Sequence, residues 1–240
     1  MNTLKLSLLK AGFLLLALMS TAALAAGTVT HLSGTLSVQR PDGSVRILSQ
    51  KSEVHPGDVL TTQRDSYAQI NFVDGSSLTM RPNTQLKVEE FRFVQDRPQE
   101  DSSFLRLIKG GLRTVTGLIG KRGNQDAYKI GTNTATIGIR GSSGDTLDCV
   151  HGCEGVTSTS GALEPGVYHT TYTGSYIMQN GAGDQIIGEG QFGFAKDPAS
   201  VPVILPGDPG INLSQLPFAL GIATIGTISA GGLSAECVVR

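Results

Sequence analysis

Gly57-Asp58-Val59-Leu60-Thr61-Thr62 and, after a polar corner, Tyr67-Ala68-Gln69-Ile70-Asn71-Phe72-Val73-Asp74-Gly75-Ser76-Ser77-Leu78 read as strand, corner, alternating strand, turn and returning strand. Ala68, Ile70 and Phe72 fall on one side of an extended chain, with Gln69, Asn71 and Val73 on the other, which is the two-residue period of a strand. Asp74-Gly75 between such runs signals a hairpin, because glycine adopts positive φ without steric cost. No helix fits between these pieces. Pro56-Gly57-Asp58 is read as the corner that launches the first of them.

Working outward, the same rhythm recurs. Thr28-Val29-Thr30 and Leu36-Ser37-Val38 alternate apolar with polar, and Pro41-Asp42-Gly43-Ser44 turns the chain into Val45-Arg46-Ile47. Downstream, Leu78 with Met80 and Leu86 with Val88 predict two more strands, broken at Pro82-Asn83. Arg92 to Ser103 is polar, carries Pro98 and reads as an exposed loop. Phe104 to Ile108 resumes order; a short helical turn there would be ended by Gly110-Gly111. Tyr128-Lys129-Ile130 leads into Ile137-Gly138-Ile139-Arg140-Gly141-Ser142, and strands return at Val167-Tyr168-His169 and Tyr176-Ile177-Met178. Gly accounts for 31 of the 240 residues, Trp is absent, and no apolar helical period is sustained from the end of the leader to residue 205. The expected fold class is all-β, a rolled or solenoid-like stack of short strands with Gly-rich turns.

The N-terminal stretch has Lys5 and Lys10 before an apolar run from Ala11 to Met19, then small residues ending Ala23-Leu24-Ala25. That is the charged, apolar and small-residue pattern of a secretory signal, with cleavage expected after Ala25 and a periplasmic or secreted product. The run falls short of the ~20 apolar residues that a spanning helix needs. Residues 26-205 are expected to form the β domain. From residue 206 the chain changes, and Ile211 to Ala235 carries no charge; Pro217 and the glycines within it argue for a packing tail rather than a spanning helix. Without residues 1-25, the chain holds 17 basic and 20 acidic side chains, a balance that gives no drive toward nucleic acid. Charge is nonetheless uneven: residues 92-140 carry nine Lys or Arg and four Asp or Glu, residues 141-240 two and nine. A basic surface of this kind suits an acidic partner, another envelope protein or an anionic glycan.

Cys149 and Cys153 are read as a small loop disulfide in an oxidising compartment. His151 lies between them, and a Cys/His metal site is the alternative, although structural zinc sites show two paired spacings where this chain shows one. Cys237 is the odd thiol. His31, His55, His151 and His169 are the imidazoles available to a hydrolase, and each sits in a strand, turn or loop context with no nucleophile motif beside it. Gly188-Glu189-Gly190-Gln191-Phe192-Gly193 spells a dinucleotide fingerprint without the helix it needs, and Gly120-Lys121-Arg122 fails as a phosphate loop. Neither catalytic residues nor a cofactor is expected. Arg140, after alternating apolar positions, is read as partly inside, bound to strand-end carbonyls or to a carboxylate such as Asp58 or Asp74. Arg113 carries the same reading, with ligand binding as the alternative for both.

The ordered blocks Gly57-Asp58-Val59-Leu60-Thr61-Thr62, Asp74-Gly75-Ser76-Ser77-Leu78, Gly110-Gly111-Leu112-Arg113 and Ile137-Gly138-Ile139-Arg140-Gly141-Ser142 resemble the FecR-like domain family, most strongly over residues 57-145. Gly57, Asp58, Asp74, Gly75, Arg113, Gly138, Arg140 and Gly141 carry the resemblance and are read as structural. It implies an all-β periplasmic module. The family's best-known members pass an iron-siderophore signal across the envelope to a sigma factor. Here a signal peptide stands where an anti-sigma segment is found, and no secretin-like domain is evident after the β domain, so neither the sigma-factor role nor receptor contact is carried over. The resemblance implies a non-enzymatic binding or scaffolding module in envelope signalling or assembly, partnered by another envelope protein. A glycan-binding or cell-wall-associated module is the alternative.

Overall fold

The computed structural model describes residues 24–211 apart from 154, 155, 157 and 160. The expected signal sequence up to residue 23, most of the uncharged tail and Cys237 lie outside the described residues. Fifteen strands form one open sheet, not closed into a barrel. They are β1 (Gly27–Ser33), β2 (Leu36–Gln39), β3 (Val45–Leu48), β4 (Glu53–Val54), β5 (Val59–Thr62), β6 (Tyr67–Phe72), β7 (Ser77–Met80) and β8 (Gln85–Arg92). After a short 3-10 turn at Pro98–Glu100 come β9 (Ser102–Val115), β10 (Tyr128–Gly131), β11 (Thr136–Asp148), β12 (Val167–Asn180), β13 (Gly183–Gly188), β14 (Phe192–Ala195) and β15 (Val203–Ile204). The all-β class is as the sequence indicates.

The sheet folds over itself into two leaves because three long strands change partners partway along. In the first leaf the order is β3-β2-β5-β8-β9-β10-β11-β12-β13; in the second it is β4-β1-β6-β7-β9-β11-β12-β14-β15. β9 leaves β8 after Lys109 and joins β11 from Gly110 onward. β11 pairs with β12 on both sides of a register shift between Arg140 and Ser143. Gly110, Gly141 and Gly174 sit at these corners with φ of 87°, 65° and 73°. Corners at which a strand passes from one packed layer to the next are made by such bends and bulges. The sequence allowed a short helical turn near Phe104 that Gly110-Gly111 would end; that stretch is strand instead, and it runs through the glycine pair because glycine tolerates the bend without breaking the ladder.

Between the leaves lies one buried cluster. Leu36, Leu60, Leu86, Leu105, Ile137 and Met178 reach it from the first leaf, and Val29, Ile70, Leu78 and Leu112 from the second. Each such side chain contributes ~1.5–3 kcal/mol of burial. A smaller cluster of Leu147, Cys149, Tyr168 and Phe194 occupies the other face of the second leaf, under Cys153, Val156, Leu163, Leu205 and Ile211. The disulfide loop and the segment after β15 are thus lids on a second small core.

Gly110 is the corner with the least room. A Cβ there would sit 2.5 Å from Thr84 Oγ1 and 2.6 Å from Thr84 Cα. Thr84 has no freedom to give way, since its hydroxyl donates to Gly111 O and accepts from Gly111 N, both at 2.9 Å. Gly110→Ala is expected to cost at least ~1–3 kcal/mol from the backbone conformation alone, measured by urea unfolding. Gly43→Ala has open space at its Cβ position and a similar φ, so it isolates the backbone share; equal losses at the two sites would contradict the tight corner.

Candidate functional site

The motif carboxylates are corner ties. Asp58, fully buried, takes a bidentate contact from Arg40 Nη1 at 2.8 and 3.0 Å and accepts the His55 backbone N–H at 2.8 Å. Arg40 Nη1 also donates to His55 Nδ1 at 2.6 Å. The φ of 88° at Gly57 brings the chain against Pro41, leaving no space for a Cβ. Asp74 accepts Ser76 N–H and Oγ–H on one oxygen (2.9 and 2.6 Å) and Ile119 N–H on the other (3.1 Å). It therefore fastens the β6–β7 turn, with Gly75 at φ 82°, to the loop after β9. Short polar side chains that satisfy turn amides are the physical reason for Asp at both places.

Arg113 joins a buried network centred on Asp145, directly across from it in the β9–β11 register. Arg113 Nε reaches Asp145 Oδ1 at 2.7 Å and its Nη2 reaches Oδ2 at 2.8 Å. Arg81 Nη2 bonds the same Oδ2 at 2.9 Å, and Tyr172 donates to it at 2.7 Å. The guanidinium of Arg113 lies 4.7 Å from the Tyr172 ring centre. Burial acts to depress the Arg113 guanidinium, but its hydrogen bonds and attraction to Asp145 outweigh that and hold it above its ordinary value. Burial, then the Asp145 charge, push the Tyr172 hydroxyl well up. Arg81 and Asp145 are 6% and 1% exposed. Both escape sequence reading because their partners are 64 and 32 residues away; a lone acid among the small residues of Gly141 to Thr146 was the available signal.

Arg140 goes elsewhere. Its side chain is exposed on β11 and meets Asp126 at 3.4 Å, rather than Asp58 or Asp74. Strand alternation explains the difference: Ile137 and Ile139 take the core side, which leaves Gly138 and Arg140 outward. An exposed pair of this kind is worth ~0–1 kcal/mol, so Arg140→Ala is expected to leave the urea midpoint nearly unchanged. A loss above ~1 kcal/mol would contradict that placement. Gly138 is packed over by Ile177 Cγ2, and Gly141 is the corner already described.

Cys149 and Cys153 are disulfide-bonded. Their loop walls a cleft of about 160 Å³ that Asn83, Lys109, Gly110, Leu147, Asp148, His151 and Gly152 also line. Asp148 accepts Asn133 Nδ2–H at 3.0 Å and Val150 N–H at 3.1 Å. Burial pushes its carboxyl up against the opposing effect of those bonds. His169 is enclosed against Tyr176, with ring centres 4.1 Å apart; Thr146 Oγ1 is 3.1 Å from its Nδ1, and Nε2 has no hydrogen-bond partner. Burial drives its pKa down to about 3, against a smaller upward pull from Asp145. Among the described residues no group of three or more His, Cys, Asp or Glu could hold a metal ion. Asp148 and His169 are thus held by the neutral Asn133 amide, the Val150 backbone and the Thr146 hydroxyl, an arrangement that fixes loops and strands.

Two crystal structures of a protein described as "a putative anti-sigma factor" from Parabacteroides distasonis ATCC 8503 are similar at 10% identity and a TM-score of 0.45, over 63% of this chain and 60% of that one. A chain described as "Cell surface anchoring domain" is 27% identical over 26% of this chain and 82% of its own, with a TM-score of 0.25. The chain thus spans about 60% of the length of the first of these structures. No curated protein matches it. The model of the family described as FecR protein matches residues 58–160. That stretch takes in Asp58, Asp74, Arg113, Arg140 and the disulfide loop, so over residues 58–160 this chain carries a FecR domain.

Proposed function

We propose that this chain is a non-enzymatic binding or scaffolding module in envelope signalling or assembly, periplasmic or secreted after removal of residues 1-25. Residues 26-205 would form the working domain, and the uncharged segment from 206 a packing tail. The FecR match supports an envelope-signalling role, and the disulfide suits an oxidising compartment. The observation that carries the reading is the use made of the motif side chains. Asp58, Asp74 and Arg113 are spent on internal hydrogen bonds, and the buried His169 has no route to a substrate. What remains for function is surface, and the expected partner is another envelope protein. No helix among the described residues is long and apolar enough to cross a membrane.

A second reading has its own observation. The outer face of the first leaf presents Lys129 between Arg106, which pairs with Glu89 at 2.8 Å, and Arg140, which pairs with Asp126 at 3.4 Å, three cations that an anionic glycan could meet by displacing those carboxylates. Photoreactive cross-linking in living cells, which inserts into C–H and O–H bonds of protein and glycan alike, followed by identification of the trapped species, separates the two. A protein adduct reproducibly recovered with the wild-type chain is expected; recovery of glycan alone would overturn the primary reading in favour of the second.

A further inference from the structure

β3 is the edge of the first leaf, and it pairs with β2 alone. Arg40 N–H donates to Ser44 O at 2.9 Å, and the register places Val38 opposite Arg46 and Ser37 opposite Ile47. Because hydrogen-bonded pairs alternate in an antiparallel ladder, Arg46 and Leu48 bond β2 while Val45 and Ile47 aim N–H and C=O groups away from it. Their side chains are open too: Val45 is 66% and Ile47 70% exposed, among the highest values of any large apolar residue described. Exposed aliphatics beside an unpaired backbone row are what proteins ordinarily avoid at a sheet edge.

The other edges are poorer sites. β4 and β15 have two residues each. The start of β13 is overlaid by Val201 against Gly183, and by Asn180 bonding the carbonyls of Asp197 and Ser200. The charge beside β3 selects the occupant: Arg46 and Lys51 are exposed there and form no ion pair among the described residues. Asp42, the carboxylate of the hairpin turn, is engaged first by Ser44, whose N–H lies 2.9 Å away, and only secondarily by the charge of Arg46, with which it forms no ion pair.

We propose that β3 is an acceptor edge, and that it binds an extended segment of a partner protein in which apolar residues alternate with acidic ones. Backbone bonds to Val45 and Ile47 give affinity, their side chains hold the apolar positions, and Arg46 and Lys51 select the acids. This rests on the protein-binding reading above and names the surface it uses.

The test is amide hydrogen exchange on the full chain with the synthetic peptide Thr-Val-Glu-Val-Glu-Val-Thr at millimolar concentration. Exchange at Val45 and Ile47 is expected to slow about tenfold or more, and to slow far less with lysine in place of glutamate. Ile47→Pro, which deletes one outward donor at an edge where proline is tolerated, is expected to abolish the effect. Arg46→Glu, on an exposed side chain, is expected to reverse the peptide preference. Unchanged exchange, equal response to both peptides, or slowing on raising protein concentration alone, which would assign the edge to a second copy, overturns the proposal. If the peptide fails here while cross-linking still traps a protein, β3 is the wrong surface and the binding reading stands.

Discussion

Asp145→Ala is expected to lower stability by ~3–5 kcal/mol, the cost of breaking a buried ion pair from one side. Four contacts from Arg81, Arg113 and Tyr172 converge on that one carboxylate, from three strands or strand ends of the second leaf. Removing it strips the shared counter-charge from two guanidiniums whose side chains are 7% and 16% exposed. Asp145→Asn keeps the shape and loses the charge, so it should fall between wild type and alanine. Urea unfolding of the three proteins checks this. A loss under ~1 kcal/mol for the alanine variant would place Asp145 among ordinary surface pairs and contradict its role as a hub.

Acid should unfold the domain partly through His169. Its folded pKa of about 3 lies below the unfolded value of 6.5. Between those values the unfolded chain holds a proton that the folded chain refuses, so stability falls as pH falls through that window and the effect is absent above it. The expected slope is up to ~1.4 kcal/mol per pH unit. Carboxylates add their own pH dependence, and the difference between wild type and His169→Phe removes it. Relative to that variant, the wild type should lose stability steadily from pH 6 to pH 4. A constant difference across the range would show that His169 does not sit neutral in the fold.

The strands were legible because a two-residue period and Asp-Gly or Pro-Gly corners are local features. Ala68, Ile70 and Phe72 are buried in the core as their alternation indicates, and Val73 is 57% exposed. Gln69, expected on the outward face with Val73, is buried as well, where its amide donates to Ser77 Oγ. Nothing in the alternation could tell that part of the outward face of the second leaf, around Gln69, Thr79 and Asp145, is itself buried. The bend of β9 at Gly110-Gly111 was hidden for a related reason: the pair marks a stop for a helical turn, and its sequence does not tell that a strand can pass through it and change partners. Asp145, Arg81 and Tyr172 meet only through pairings between distant strands, so no spacing in the sequence announces them. Arg140 was read inward because it follows apolar residues, yet alternation over Ile137 and Ile139 turns it out.

On the function proposed above, this domain acts through its exposed edges and faces. Installing a photoreactive side chain singly at Val45, Ile47, Val73, Leu118, Tyr172, Ile186 and Val203, then irradiating living cells, tests that claim most directly. Adducts to one protein from a contiguous subset that includes positions 45 and 47, and none from the remainder, are the predicted result. Adducts to glycan alone, or none from any exposed position, would contradict it.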